Sequence, residues 1–191
     1  MKGNRGFTLI ELAIVLVIIG IIIGMVLKGQ DLIQNARMKK LVNEARKWEV
    51  GLWTCFDRTG KFPGDTDGDG VIESDPLTDS CFQNLAQSPS SHSIQLGSYT
   101  FYIYVGHDNN NKNVIAVCGK SDCSSGLGDE VYADFLRNFD ASIDGVVSAT
   151  AGVVRAASAI TISGNVVSGA TYPDSWTSST KGLLYFFDRK P

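Results

Sequence analysis

Apolar residues run almost without a break from Phe7 to Leu27. That is roughly the 20 residues needed to cross a bilayer core as a helix. The pattern then changes without a helix breaker. From Lys28 to about Arg58 there is no proline, and Leu41, Ala45, Trp48, Leu52 and Cys55 recur at helical spacing. Val42, Trp53 and Phe56 widen this stripe, while Lys39, Lys40, Asn43, Glu44, Arg46, Lys47 and Glu49 fill the other faces. The pattern predicts one helix of roughly 50 residues, about 75 Å long. Its first half (7–28) is apolar all round and its second half (29–58) is amphipathic. The second half is expected to lie against a sheet, with Trp48, Trp53 and Phe56 in the core. Gly20 and Gly24 form a G-x-x-x-G, which permits either close backbone approach or local unwinding.

The segment Thr59-Gly60-Lys61-Phe62-Pro63-Gly64 carries the Gly-then-Pro signal that stops a helix. Beyond it, 59–191 reads as a globular α+β domain. Tyr99–Val105 and Val114–Cys118 are rich in aromatic and β-branched residues, and the polar turn 108–113 between them predicts an antiparallel hairpin. Val131, Phe135, Phe139 and Ile143 recur at four-residue steps and predict a helix over 127–144. Weaker strands are expected at 153–155 and 159–163, and a stronger one at 182–187. Segments 88–93 and 168–181 read as exposed loops, with His92 solvated. Asp134, Asp140 and Asp144 read as helix polarity and turn chemistry rather than a metal site.

Composition narrows the function. The formal net charge is −3, and no basic patch is interleaved with aromatics, so no nucleic-acid partner is predicted. The two histidines, His92 and His107, belong to no nucleophile motif, and no paired-carboxylate arrangement is visible. The chain does not read as an enzyme. Beyond the apolar run it is rich in Ser, Gly, Asn and Asp, which suits an extracytoplasmic domain with long loops.

Glu11 stands out because it places a carboxylate inside the apolar run. An ionisable group in a membrane segment is costly and marks function. Before it lies a short leader with Lys2 and Arg5, ending at Gly6. A secretory signal is cut after its apolar region behind small residues, and Gly24–Lys28 offers no such site. Residues Lys2, Arg5, Gly6, Phe7, Thr8, Leu9, Ile10, Glu11 and Leu12 together resemble the N-terminus of type IV prepilins and of type II secretion pseudopilins.

The resemblance implies cleavage between Gly6 and Phe7 by a prepilin peptidase, with N-methylation of Phe7 and removal of leader 1–6. It implies a single-pass inner-membrane precursor with a cytoplasmic leader, then a homo-oligomeric cell-surface or periplasmic filament. A membrane platform and an assembly ATPase are the expected partners. The Phe7 ammonium of one subunit would pair with Glu11 of a neighbour, offsetting two charges that are each costly in lipid. The implied fold is the pilin ladle, a long N-terminal helix packed on an antiparallel sheet. The function read is a structural subunit of a type IV pilus or related filament. Its alternatives are a pseudopilin or minor pilin, and a membrane-anchored calcium-dependent binding module or adhesin.

Two further motifs carry chemistry. In Asp65-Thr66-Asp67-Gly68-Asp69-Gly70-Val71-Ile72-Glu73, alternate carboxylates precede a glycine, as in the first half of an EF-hand calcium loop. Asp65, Asp67 and Asp69, with the Val71 carbonyl and Glu73, are the candidate calcium ligands. Pro76 stands at the twelfth place, where a bidentate Glu is usual. A solvated Asp/Gly turn uses the same residues. The four cysteines all lie beyond the apolar run and allow three pairings. Cys118 with Cys123 would close a short local loop, and Cys55 with Cys81 would then pin the Asp-rich loop to the helix end. Zinc is the competing use of these cysteines.

Overall fold

The computed structural model describes residues 8–124, 130–177 and 179–188. Two compact units divide the chain, Met1–Arg37 and Met38–Pro191. Helix α1 (Leu9–Thr59, 51 residues) contributes to both. In the first unit its apolar residues are exposed on every side. It is unbroken through Gly20 and Gly24, with open space where a Cβ would stand.

In the second unit α1 becomes amphipathic in fact as well as in pattern. Leu41, Ala45, Trp48, Leu52 and Cys55 are buried, and Glu44 and Lys47 pair on the outer face. The helix ends where Gly60 takes φ +79° and its N–H donates to the Phe56 carbonyl. A left-handed residue just past the last turn is the usual helix stop, and glycine adopts it without steric cost.

A seven-stranded sheet forms the body of this unit, in the order β4-β7-β3-β2-β6-β5, with β1 added on β2. The strands are β1 (Ser93–Leu96), β2 (Tyr99–His107), β3 (Asn113–Cys118), β4 (Val154–Ala157), β5 (Ala159–Ser163), β6 (Val166–Thr171) and β7 (Gly182–Phe186). The β2–β3 hairpin pairs Ile103 with Val117 and Val105 with Ile115. One face packs Phe101, Ile103, Val105, Ile115, Val117, Leu183 and Tyr185 against α1 and against helix α3 (Glu130–Asp144). The Tyr185 hydroxyl also donates to Glu49 Oε2 at 3.0 Å, tying β7 to α1. On the other face Val114, Ala116, Leu184 and Phe186 join Ile160, Val167 and Ala170 of β5 and β6, so the sheet curls over itself. Strands covered on both faces lose the polar alternation of a half-exposed strand, which explains the continuous apolar run in β3.

Several sequence expectations are corrected here. The sheet is mixed, because β6 pairs with β2 in parallel while the other pairs are antiparallel. β6 extends to Thr171, into the stretch 168–181 read as loop, and β1 begins at Ser93, the last residue of 88–93, so the part of 168–181 after Thr171 is what lacks strand among the described residues. Trp176 there is half-buried and packed against the core. Of the helix expected over 127–144, α3 covers Glu130–Asp144 and residues 127–129 lie outside the described residues. Asp144 receives the backbone N–H groups of Val153 and Val154, and Asp140 that of Ser148, which is turn chemistry.

Candidate functional site

Three local constructions carry chemistry: the start of α1, the Asp-rich loop, and the turn that follows that loop.

At the start of α1, Thr8 and Glu11 bond each other reciprocally. The Thr8 N–H and hydroxyl both donate to Glu11 Oε2 at 2.8 Å, and the Glu11 N–H donates to Thr8 Oγ1 at 3.3 Å. This is a capping box, in which an N-cap hydroxyl and an N3 carboxylate satisfy orphan N–H groups at a helix start. The signal is present in sequence as Thr-x-x-Glu, at the same residue whose charge is costly in an apolar run. Lys2, Arg5, Gly6 and Phe7 lie outside the described residues. Among the described residues, α1 is the one helix long and apolar enough to cross a membrane.

The Asp-rich loop is built from carboxylate-to-backbone bonds. Asp65 is buried and accepts from Gly68 N at 2.7 Å and Gly70 N at 3.0 Å. Asp67 accepts from Asp69 N, and Asp69 from Val71 N. Carboxylate oxygens of Asp65, Asp67 and Asp69 then converge within 4.8 Å of one another. Each carboxylate keeps spare lone pairs, so the donor set suits a hard divalent cation. Glu73 is not among the converging oxygens and instead accepts from the Thr66 hydroxyl at 2.8 Å. The Val71 side chain is buried.

The loop is held at both ends. The Gly64 carbonyl accepts from Glu73 N, Ser74 N and the Ser74 hydroxyl. Asn113, fully buried at the start of β3, accepts from Ile72 N at 2.9 Å and donates to the Gly70 carbonyl at 2.7 Å. Nothing in the local sequence marked Asn113 for this, because its partners are some forty residues away.

After the loop, Asp75 caps a single 3-10 turn (Pro76–Thr78), and Asp79 caps the short helix α2 (Ser80–Gln83). Cys81 on α2 is bonded to Cys55 near the end of α1, and Cys118 to Cys123. His92 is the main correction among the predicted polar residues. It is not solvated: its side chain is only 13% exposed, and it stacks between Trp48 and Tyr104.

Residues 1–27 match the family model described as the prokaryotic N-terminal methylation motif. This is the prepilin-type signal of type IV pilins and pseudopilins. No curated protein and no solved structure matches the chain.

Proposed function

We propose that this chain is a structural subunit of a type IV pilus or related pilin-like filament. It is cut between Gly6 and Phe7, N-methylated at Phe7, and assembled through α1. The observation carrying this reading is the methylation motif at residues 1–27, running directly into a helix whose apolar surface is exposed on all sides. Before assembly that surface belongs in the cytoplasmic membrane, and afterwards against other copies of the helix in a surface or periplasmic filament. The peptidase and methyltransferase, a membrane platform and an assembly ATPase are the partners this reading requires. The soluble unit then sets the filament's outer chemistry, and no catalysis is assigned to it.

Glu11 has two roles to separate. As a cap it needs only an acceptor, which Gln also supplies. As the counter-charge of a neighbour's Phe7 ammonium it must be anionic. The test is assembly of Glu11→Gln beside Glu11→Ala, both checked for membrane insertion and leader removal. Loss of filaments in both, with processing intact, is expected. Normal filaments from Glu11→Gln would reduce Glu11 to a cap.

Recovery of the chain in sheared extracellular fibres, starting at methylated Phe7, distinguishes a pilus subunit from an envelope-bound pseudopilin.

The convergence of Asp65, Asp67 and Asp69 favours a second assignment, a calcium site in the soluble unit. Calcium at 100 times its dissociation constant should stabilise the fold by about 2.7 kcal/mol. The check is thermal unfolding of the full-length protein in detergent, with calcium or with chelator. The shift should vanish in Asp65→Asn/Asp67→Asn, and a wild type indifferent to calcium would remove the site.

A further inference from the structure

His92 sits where the chain returns from the excursion that begins at Asp75. Its Nδ1 is 2.9 Å from the Ile103 carbonyl oxygen, and its Nε2 is 2.9 Å from Asp75 Oδ2. Both partners are acceptors. A carbonyl oxygen has no proton to give, and the Asp75 carboxylate already accepts from Leu77 N at 2.9 Å and from the Asn165 amide at 3.5 Å. A neutral imidazole has one N–H and satisfies only one such partner, whereas an imidazolium has two. Turning the ring over would set carbons against both oxygens, so the orientation follows from the contacts.

The surroundings suit a cation. Trp48 of α1 lies 5.4 Å from the ring at 18°, and Tyr104 of β2 lies 4.9 Å away at 27°. Two aromatic faces sandwich the imidazole, and such faces attract positive charge. The titratable groups facing His92 are Asp75 ahead of the 3-10 turn and Tyr104 on β2. Trp48 carries none. Burial works against charging His92, but the bonds to Asp75 and Ile103 and the charge of Asp75 outweigh it and raise its pKa.

We propose that the folded domain holds His92 as an imidazolium that works as a proton-operated latch, fastening the Asp75–His92 excursion to β2 and α1 and releasing it on the alkaline side. The sign follows from linkage: stability from a raised imidazole is full below 6.5 and is lost as pH rises through the folded value. Release leaves the excursion attached through Cys81, which remains bonded to Cys55. The excursion forms one wall, Leu85–Ser88, of a groove of about 560 Å³ against α1 at Asn43, Lys47, Val50 and Thr54.

The test uses the full chain in detergent micelles. With two histidines in the sequence, His107→Gln leaves His92 as the single imidazole signal. Its nitrogen shifts, followed by NMR against pH, should show a midpoint above 6.5, with both nitrogens protonated below it. Asp75→Asn should bring that midpoint down below 6.5. A midpoint at or below 6.5 in the unaltered site, or no change in Asp75→Asn, would overturn the proposal. Amide exchange gives a second readout. Protection at Leu77 and Ile103, corrected for intrinsic rates, should fall through the His92 titration. In His92→Phe, which keeps a ring in the stack but cannot charge, it should be flat with pH. The same pH-dependent loss in His92→Phe would also overturn it.

Discussion

Asp140 offers the sharpest stability prediction. It lies on α3 with no solvent exposure, and accepts one backbone N–H, from Ser148 at 2.7 Å. Asp144 stands one turn later with its carboxylate committed to Val153 and Val154. Burial is the main force on Asp140, the Ser148 bond opposes it, and the charge of Asp144 adds to it. The result is a pKa pushed up from 3.8 to about 6. At about 1.36 kcal/mol per unit, that difference makes the folded state up to about 3 kcal/mol less stable at pH 7 than it would be with Asp140 neutral.

The sign is opposite to ordinary acid denaturation. The folded value is raised, so the contribution is full below the unfolded value of 3.8 and is lost as pH rises through 6. Asp140→Asn cannot ionise. It should flatten the stability profile between pH 4 and 6 and gain most relative to wild type at pH 7. Urea unfolding of the full-length protein in detergent, followed by tryptophan fluorescence at unit steps from pH 4 to 7, reads this directly. His92 acts above 6.5 and the lowered Asp75 acts at the acid end, so neither masks the window. Parallel profiles for wild type and Asp140→Asn would show that burial does not hold this carboxyl neutral.

Two further outcomes are expected. Replacing Cys55 and Cys81 together with Ala should cost about 3.5 kcal/mol, from the loop entropy that a bridge across 26 residues removes from the unfolded chain. Equilibrium unfolding measures this, and a loss under 1 kcal/mol would contradict the entropic account. Gly106→Ala should destabilise the sheet by about 1–3 kcal/mol or more, because a Cβ there would stand 2.1 Å from the Val167 carbonyl oxygen on the parallel neighbour β6. A neutral Gly106→Ala in thermal unfolding would mean that β6 does not approach so closely.

What the sequence revealed depended on the range of each interaction. The buried stripe of α1 repeats every three or four residues, so Leu41 through Cys55 announced both the helix and its inner face. The β2–β3 hairpin was readable because its strands and turn are adjacent. Cys118 and Cys123 are close enough in sequence to suggest a loop. β6 escaped because Val166 and Val167 are followed by Ser168 and Gly169, which break the strand pattern, and because its parallel partner is some sixty residues away. His92 escaped for the same reason. Nothing beside it in sequence indicates Trp48, Tyr104 or Asp75. The Thr8–Glu11 cap is readable as Thr-x-x-Glu, but a carboxylate in an apolar run has two explanations, a local cap and a charge partner on another chain, and the pattern alone does not choose between them.

The Cys55–Cys81 bond also sets how the soluble unit responds to force. If the chain assembles as proposed, tension on the filament would pull each subunit through α1, and the first structure to yield would be the buried stretch from Leu41 onward. Unravelling then meets a covalent stop. The span from Cys55 to Cys81, a sequence separation of 26 and about 90 Å of extended chain, cannot be paid out while the bond is oxidised. Beyond it the sheet is loaded through Cys81 as well as through the backbone. A subunit pulled from its two ends should therefore lengthen less than its sequence allows, and regain that length only under reducing conditions. In such a filament, the redox state of the surroundings would set its extensibility.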